Sequence, residues 1–520
     1  MAAKAALDAN FVRQPDATAP VMIAGERVRT HDEIRRRAAL AAEGFRQMGL
    51  REGDTVALFL RNDFAFFEAM QGAVLAGAYP VAINWHATAE EAGYILRDSD
   101  AKVLVVHTDL LPQIVAGLPE DLRILVVDTP AEIRRAYGIK SAPHNGIHRG
   151  WDSWLSRFDP IAQPMTAPRG AVIYTSGTTG RPKGVRRAPG ESQAALTATA
   201  AIGYGLVPGE DRVVLMNGPM YHAAPNSYGT MAFASGADIV LQPRFDAEEM
   251  LQLIERYRVT HMHIVPTMFV RLLRLPEDVK GRYDLSCLRY VAHGAAPCPP
   301  DIKRAMIEWW GPVIYEYYGA TEAGLISISR PEDALAHPGS VGQALPNVSI
   351  KVLDESGDEV PAGTIGDIFI HSEPGATFEY IGRENDRRDD KYLTLGDMGF
   401  VDEDGFLFLR DRRRDMIISG GVNIYPAEIE ATLQGIVGIR DSAVFGIPDD
   451  EFGEAICAHV QVDAGGPDAA AIRASLEQQL SRYKVPRYIE IVEDLPREDS
   501  GKIFKRKLRE PYWANVGRSI

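Results

Sequence analysis

A run of hydroxyl, glycine and cationic residues from Tyr174 to Gly184 contains side chains well suited to binding an anion. It follows the apolar residues 171–173, which predict the end of a strand. Glycines let backbone N–H groups face a ligand, and N–H groups, hydroxyls and a cation together suit phosphate oxygens. The G-x-x-x-x-G-K-[ST] spacing of a Walker A loop is absent. Taken alone, the run predicts either another type of phosphate loop or a surface turn.

Four further segments carry groups that could serve a nucleotide. A histidine lies in the turn 219–225, and the small residues of 293–297 could lie flat against a planar ring. Residues 315–324 offer aromatic faces for stacking, a hydroxyl for phosphate and a carboxylate for Mg²⁺. Asp397 stands between glycines and could accept hydrogen bonds from both ribose hydroxyls. Each segment alone also has an ordinary structural interpretation.

A fifth segment, 412–430, is followed near the C-terminus by Ser500-Gly501-Lys502-Ile503. Lysines and arginines crowd together between Lys502 and Arg509. A charge run is usually a solvated face, but the chain as a whole has a net charge of −15. This cluster therefore predicts a landing site for a phosphorylated partner.

Composition limits the classes of function. With 520 residues, 46% of them hydrophobic and 24% charged, the chain is an ordinary globular protein of two or more domains. The charge of −15 argues against a nucleic-acid binder. Cys287, Cys298 and Cys457 lack the spacing of a zinc site or a disulfide framework. The N-terminus lacks a signal peptide, and the apolar stretch 69–85 is too interrupted to span a membrane, so we expect a cytoplasmic protein without a transmembrane segment.

The elements that must position these groups alternate between short β-rich runs and amphipathic helices. This alternation predicts an α/β fold with largely parallel sheets, in two lobes before and after the glycine-rich run. In residues 335–411, short β-rich runs alternate with turns rich in Gly, Pro and Asp, which predicts a small antiparallel barrel or sheet. The charge run 410–415 predicts a boundary between an N-terminal domain, 1–413, and a smaller, mobile α+β domain, 414–520.

The order and content of these segments resemble the adenylate-forming superfamily of acyl-CoA synthetases, peptide-synthetase adenylation domains and beetle luciferases. The resemblance extends from about residue 10 to about residue 510. It rests on five motifs found in the superfamily's order: Tyr174 to Gly184, Tyr318 to Glu322, Asp397, Arg412 to Glu430, and Ser500 to Ile503. It implies an ATP-, Mg²⁺- and CoA-dependent ligase that adenylates a carboxylic acid and then transfers the acyl group to CoA.

The resemblance also implies roles for individual residues. The nucleotide-binding residues, for phosphates, adenine and ribose, would be Thr175, Ser176, Gly177, Thr178, Thr179, Gly180, Lys183, Gly294, Ala295, Ala296, Tyr318, Gly319, Asp397 and Arg412. The residues that line the acyl tunnel would be His222, Ala223, Ala224, Tyr317, Gly319, Gly324 and Leu325. Thr321 would contact the α-phosphate, Glu322 would hold Mg²⁺, and Lys502 would bridge the carboxylate and the α-phosphate.

His222 would also stand where the acyl and pantetheine tunnels meet, so we count it with the catalytic residues. Between adenylation and thioester formation, the C-terminal domain would rotate about Arg414 and present Gly420 and Gly421 to pantetheine. Asp411 replaces the superfamily's usual Gly, and Leu395 its usual Thr, with small effects expected because neither change removes a functional side chain. The motif does not explain Arg186 and Arg187.

The small residues of the acyl tunnel predict a fatty or bulky apolar acid. Three alternatives stay open at this point: an enzyme that loads a carrier protein, a nucleotide-binding regulator without catalysis, and a luciferase-like oxygenase. Retention of Glu322 and Lys502 disfavours the regulator. The identity of the acid, the acceptor and the oligomeric state, a homodimer included, are not determined by these residues.

Overall fold

The computed structural model describes residues 19–140, 146–162, 169–175, 182–189, 201–207, 209–373, 378–381, 392–413, 415–419, 422–449, 451–497 and 503–514. Across these residues the strands form four sheets. The predicted α/β class, with a large N-terminal part and a smaller C-terminal domain, is confirmed. The predicted boundary residue Arg414 lies outside the described residues, so the exact domain limits and the mobility of the second domain stay predictions.

The first sheet carries the predicted phosphate loop. Its central strands are parallel, and only its last two pairs, β8 with β9 and β9 with β19, are antiparallel. Its eight strands, numbered in chain order and given in spatial order, are β19 Phe378–Tyr380, β9 Lys183–Arg187, β8 Val172–Thr175, β4 Tyr79–Ala82, β3 Thr55–Phe59, β5 Ala101–His107, β6 Arg123–Val127 and β7 Arg149–Gly150.

The second sheet carries most of the remaining candidate residues. Parallel pairing runs through its centre, with antiparallel strands at both edges. Its nine strands are β16 Gln343–Ala344, β15 Gly324–Ser329, β14 Ile314–Ala320, β13 Tyr290–His293, β12 His261–Ile264, β10 Val213–Met216, β11 Asp238–Leu241, β1 Val21–Ala24 and β2 Arg27–Thr30.

The two lobes exchange strands, which the alternation along the chain does not predict. Strand β1, near the N-terminus, pairs with β11 in the second sheet. Strand β19, after the second lobe, pairs with β9 in the first sheet. Strand β9 follows the phosphate loop. The exchange therefore pairs that strand with a segment that comes after the second lobe in the chain.

Two smaller sheets follow. The third is wholly antiparallel and corresponds to the predicted small β-element, with strands β17 Val348–Leu353, β18 Gly366–Ser372, β20 Leu393–Val401 and β21 Leu407–Arg412. The fourth belongs to the C-terminal domain, with strands β22 Ile417–Ser419, β23 Val422–Ile424, β24 Ile439–Asp449, β25 Gly453–Val462 and β26 Tyr488–Ile491.

The helices pack on these sheets, and two of them begin with a capping box. In α1 and α3 a threonine accepts from the N–H three residues on, while the glutamate there accepts from the threonine N–H. The described helices are α1 His31–Gln47, α2 Phe64–Leu75, α3 Ala89–Asp98, α4 Leu111–Ile114, α5 Ala131–Tyr137, α6 Trp151–Leu155, α7 Ala223–Ala234, α8 Ala247–Tyr257, α9 Pro266–Leu273, α10 Glu277–Lys280, α11 Pro300–Trp310, α12 Pro331–Ala336, α13 Pro426–Gln434, α14 Ala469–Gln479 and α15 Lys505–Trp513. No helix among the described residues combines the length and hydropathy needed to cross a bilayer.

A buried ion pair fixes strand β14, which leads into the candidate site. Lys303 of α11 pairs with Glu316 of β14, and their side chains are 3% and 4% exposed. Lys303 also donates to the carbonyl of Ser340 at 3.3 Å. Burial raises the pKa of Glu316, and Lys303 opposes that shift. The charged carboxylate therefore depends on its lysine.

We predict that Lys303→Met lowers the free energy of unfolding by about 3–5 kcal/mol, because Glu316 would be left as an uncompensated buried charge. Urea denaturation followed by far-UV circular dichroism measures the change.

The double variant Lys303→Met/Glu316→Leu should recover most of the loss, because it removes both charges. Arg304→Met is the matched control, since Arg304 pairs with Asp301 at an exposed position on the same helix. A single Lys303 variant as stable as the wild type would contradict the prediction.

Candidate functional site

The strands on either side of the phosphate loop form an antiparallel pair in which Thr175 lies opposite Lys183. The hydroxyl of Tyr174 donates to Asp98 at 2.7 Å, and the hydroxyl of Tyr94 donates to the carbonyl of Pro182 at 3.2 Å. Helix α3 is thus bonded to β8 through Tyr174 and to the start of β9 through Pro182, the residue that precedes it. The loop residues Ser176, Gly177, Thr178, Thr179 and Gly180 lie outside the described residues. Their predicted role as phosphate ligands therefore stays a prediction.

The predicted adenine segment follows strand β13. A β-carbon on Gly294 would lie 2.7 Å from the carbonyl oxygen of Tyr317, so this position requires glycine. Ala295 has φ of 66°, a left-handed conformation that is unfavourable for a residue with a side chain. Ala295 and Ala296 both line the main cavity. A strained small-residue segment beside Tyr317 and Tyr318 offers a flat surface with no bulky side chain on it.

Two consecutive tyrosines of strand β14 point to opposite faces of the sheet, as strand geometry requires. The hydroxyl of Tyr317 lies 2.7 Å from Nε2 of His263, and burial lowers the pKa of His263 to about 4, so the imidazole is neutral. The hydroxyl of Tyr318 donates to Oδ2 of Asp397 at 2.5 Å. Burial, reinforced by Asp397, raises the pKa of Tyr318 well above its usual value, which keeps this phenol a donor.

Asp397 links three elements. It lies opposite Arg412 in the antiparallel pair of β20 and β21, and Nε of Arg412 is 3.3 Å from Oδ1. Its other oxygen accepts from Tyr318. The side chain of Asp397 is 13% exposed and that of Arg412 is 43% exposed, so both reach the cavity that they line. The predicted ribose-binding pair and the predicted adenine-stacking tyrosine thus form one connected group.

Thr321 and Glu322 form the turn between β14 and β15 and line the same cavity. The turn is tight, because a β-carbon on Gly319 would lie 2.4 Å from the carbonyl oxygen of Gly324. The side chain of Arg187 reaches across from β9 and donates to the carbonyl oxygen of Thr321 at 2.7 Å. The turn predicted to contact the α-phosphate is therefore connected to the phosphate-loop strand.

The predicted acyl-tunnel residues lie together. His222 precedes α7, its ring is 4.3 Å from that of Tyr221, and Ala223 and Ala224 open the helix. Tyr317 meets the ring of Tyr204 edge-on at 5.9 Å. His222, Ala223, Ala224, Gly324 and Leu325 also line the main cavity.

Sequence reasoning missed two polar residues on this wall. Asn217, at the end of β10, is 5% exposed, and neither atom of its amide has a hydrogen-bond partner among the described residues. His263 lies on β12 and lines the cavity with Asn217. The position of each at the carboxyl end of a parallel strand was a usable signal, since ligands bind at such ends in α/β sheets.

The C-terminal domain borders the same cavity through Ile503, Phe504 and Lys505. Arg497 and Ile503 form an isolated antiparallel bridge around the segment 498–502. That segment contains Lys502 and lies outside the described residues, as do Arg414, Gly420 and Gly421. The roles predicted for these residues stay predictions.

Asp411 joins the two domains. Its Oδ2 accepts from the N–H of Ala427 in the first turn of α13 at 2.9 Å. Burial raises the pKa of Asp411, and Lys505 opposes that shift. On another surface Arg274 donates to the carbonyl of Ile439 at 2.7 Å. The unusual residue at position 411 is thus an interdomain contact.

All these groups share one cleft of about 3640 Å³. A cavity for one small ligand is typically about 300–1,000 Å³, so the cleft can hold several substrates at once. Its lining includes predicted nucleotide-binding residues, the predicted acyl-tunnel residues (the acyl wall) and residues of the C-terminal domain.

Comparison of the sequence with known proteins identifies related enzymes. Residues 7–380 match the family model described as AMP-binding enzyme, and residues 428–502 match that of the AMP-binding enzyme C-terminal domain. The fatty acid–[acyl-carrier-protein] ligase ScoC of Streptomyces coeruleorubidus is 30% identical, covering 98% of this chain and 97% of that protein. The long-chain-fatty-acid–CoA ligase FadD13 of Mycobacterium tuberculosis is 31% identical, covering 94% of each.

A solved structure agrees over nearly the whole length. The ATP-bound MatB from Rhodopseudomonas palustris has a TM-score of 0.80 and 27% identity, covering 97% of this chain and 98% of that one. Both domains are included in that match. This chain therefore belongs to the AMP-binding enzyme family and is an adenylate-forming ligase of the acyl-CoA synthetase type.

Proposed function

We propose that this protein is an AMP-forming acid–CoA ligase that acts on a fatty or bulky apolar carboxylic acid. The observation that carries the proposal is the meeting, in one cleft, of the Tyr318–Asp397–Arg412 group, the Thr321–Glu322 turn and an acyl wall. A nucleotide site alone would suit a regulator. The acyl wall and the adjoining C-terminal segment add what a two-step ligase requires.

In the first step an oxygen of the acid's carboxylate attacks the α-phosphorus of ATP, and the bond to the β-phosphate oxygen breaks. The repulsion between two anions makes positioning and local positive charge the main requirements. Tyr318, Asp397 and Arg412 would fix the nucleoside, and Lys183 with the loop 176–180 would hold the departing pyrophosphate. Thr321 would contact the α-phosphate, and Lys502 would bridge it to the carboxylate.

Magnesium fits the donor set of this turn. The carboxylate of Glu322 and the hydroxyl of Thr321 are oxygen donors, which Mg²⁺ prefers, and both residues line the cleft. Glu322 directly follows Thr321, which is proposed to contact the α-phosphate, so we take Glu322 as the candidate ligand. Bound there, the ion would neutralise phosphate charge.

In the second step the sulfur of CoA attacks the acyl carbonyl of the adenylate, and AMP leaves with the bonding electrons. His222 would stand where this attack occurs. Gly420 and Gly421 would border the pantetheine after the domain turns about Arg414.

The wall of the acyl site supports a bulky apolar acid. Ala223, Ala224 and Gly324 leave space, and the rings of Tyr204 and Tyr317 supply apolar surface. Two relatives act on bulky acids by name: a feruloyl-CoA synthase of Amycolatopsis sp. and a Mycobacterium tuberculosis ligase for a methyl-dioxo-octahydroindenyl propanoate.

A carrier-protein acceptor is the second candidate. It is favoured by ScoC, which is named as an acyl-carrier-protein ligase and matches 98% of this chain. The two candidates share the first step and differ only in the thiol that accepts the acyl group.

We expect pyrophosphate release with octanoate, palmitate or cinnamate to exceed that with acetate, because the site offers apolar contact that acetate cannot use. A coupled pyrophosphate assay with and without CoA measures this, and mass spectrometry identifies the acyl-CoA. Failure of octanoate, palmitate and cinnamate, or equal or better turnover of acetate, would contradict the apolar acid. Transfer only to a phosphopantetheinylated carrier protein would favour the second candidate.

Lys502→Ala should slow adenylation by about 100-fold or more, since it removes a preorganised cation from the transition state. Thioester formation from a synthetic acyl-adenylate should change little. Arg440→Ala is the matched control, because Arg440 is an exposed cation of the C-terminal domain that pairs with Asp463 at 3.3 Å. Equal loss of both half-reactions would contradict the role proposed for Lys502.

Asp397→Ala should raise the KM for ATP by about 10- to 100-fold, the expected cost of losing charged hydrogen bonds. Tyr318→Phe keeps the aromatic face and should raise it less. Initial rates at saturating acid measure both. A larger effect from Tyr318→Phe than from Asp397→Ala would show that the phenol, rather than the carboxylate, contacts the nucleotide.

A further inference from the structure

Strand β9 ends in two arginines that the superfamily motif leaves unexplained. Neighbouring side chains on a strand point to opposite faces, and these two diverge accordingly. The guanidinium of Arg186 lies 5.3 Å from the centre of the Tyr79 ring. The guanidinium of Arg187 turns into the cleft and donates to the carbonyl oxygen of Thr321 at 2.7 Å.

The surroundings of Arg187 come from both halves of the site. A β-carbon on Gly324, in the acyl wall, would lie 3.6 and 3.7 Å from its two terminal nitrogens. Glu322 and Tyr204 interact with it electrostatically. A β-carbon on Gly203, next to Tyr204, would contact Leu325. Arg187 thus lies between the acyl wall and the turn that is to contact the α-phosphate.

The guanidinium of Arg187 is a cation with more N–H donors than the one hydrogen bond described above uses. Its side chain reaches solvent in the open cleft, yet surrounding protein atoms lower the pKa of Arg187 by burial, while Glu322 and Tyr204 raise it. An arginine stays charged at neutral pH and has five N–H donors. Among the described residues, Thr321 accepts its one hydrogen bond. The remaining donors suit an oxyanion in the cleft.

Adenylation brings the carboxylate of the acid to the α-phosphate, a second anion, so a cation near the Thr321–Glu322 turn would help to hold it there. Lys183 lies at the other end of β9, four residues or about 13 Å away along a strand. Lys183 is thus too far along the strand to bind a carboxylate that lies beside Arg187. Arg187 is the cation at the acyl end of this strand.

We propose that Arg187 binds the carboxylate of the acid substrate during adenylation and so offsets its repulsion by the α-phosphate. This inference rests on the proposed ligase function. The α-phosphate of ATP is the other oxyanion that could approach Arg187. The carboxylate is favoured because Gly324 and Tyr204, which flank Arg187, belong to the acyl side of the Thr321–Glu322 turn.

The test compares Arg187→Ala, Arg187→Gln and Arg187→Lys with the control Arg186→Ala. The probe is whichever of octanoate, palmitate and cinnamate the wild type turns over fastest, and pyrophosphate release gives the KM for acid and for ATP separately. Arg187→Ala and Arg187→Gln should raise the KM for the acid by about 10- to 100-fold. The KM for ATP should change less than about threefold, and Arg187→Lys should recover part of the loss.

The melting temperature separates structure from substrate binding. A terminal nitrogen of the guanidinium makes the bond to Thr321, and the shorter glutamine cannot reach that carbonyl from position 187, so loss of a purely structural tether would lower the melting temperature of Arg187→Gln. We expect that temperature to match that of the wild type while the KM for the acid rises. A normal KM for the acid in Arg187→Gln, or a rise only in the KM for ATP, would overturn the inference while the ligase function stands. Arg186→Ala should leave both constants within about twofold, and an equal effect there would also overturn the inference. Absence of turnover by the wild type with all three acids would instead contradict the proposed apolar-acid function on which this inference rests, and would overturn both.

Discussion

Charge is the constraint on which the site depends. The protein carries a net charge of −15, while ATP, CoA and a carboxylic acid are all anions. The cleft therefore needs cations where these anions would bind, and different elements supply them: Lys183 and Arg187 on β9, Arg412 on β21, and Lys505 on α15. Several of them already contact acidic groups or carbonyls, which holds them in place before a ligand binds. Preorganised charge of this kind needs little rearrangement during the reaction.

The other groups of the site are positioned by contacts between residues that are distant in the sequence. Strand β14 contributes Tyr317, Tyr318 and the Thr321–Glu322 turn, and the buried pair of Lys303 and Glu316 fixes its start. Tyr318 then connects the second sheet to the third through Asp397. One strand and its turn thus carry the groups proposed for the nucleoside, the α-phosphate and the acyl wall, so backbone geometry sets the relative positions of these groups.

Much of this could be predicted from the sequence, and the remainder has a physical reason. The predicted alternation of β-rich runs and helices is found, for example in strand Thr55–Phe59 followed by helix Phe64–Leu75, because burial periodicity is a local property. The pairing of Met22 with Ile239 is not local, and no pattern within either strand specifies it. Likewise, the motif leaves Arg187 unexplained and the sequence signals Asn217 only by its position after a strand, so the contacts of both residues had to come from the structure. The loop 176–180 and Lys502 remain predictions from the motifs.

The contact made by Asp411 has a consequence for the order in which substrates bind. Ala427 lies in the first turn of α13, where helix N–H groups lack partners within the helix, and the Asp411 carboxylate satisfies one of them across the domain boundary. If the C-terminal domain rotates between the two proposed steps, that bond would have to break, which would favour the orientation in which Ile503 and Phe504 border the cleft. ATP and the acid would meet this orientation first. The thiol acceptor would enter only after pyrophosphate has left and the domain has turned, which corresponds to ping-pong kinetics.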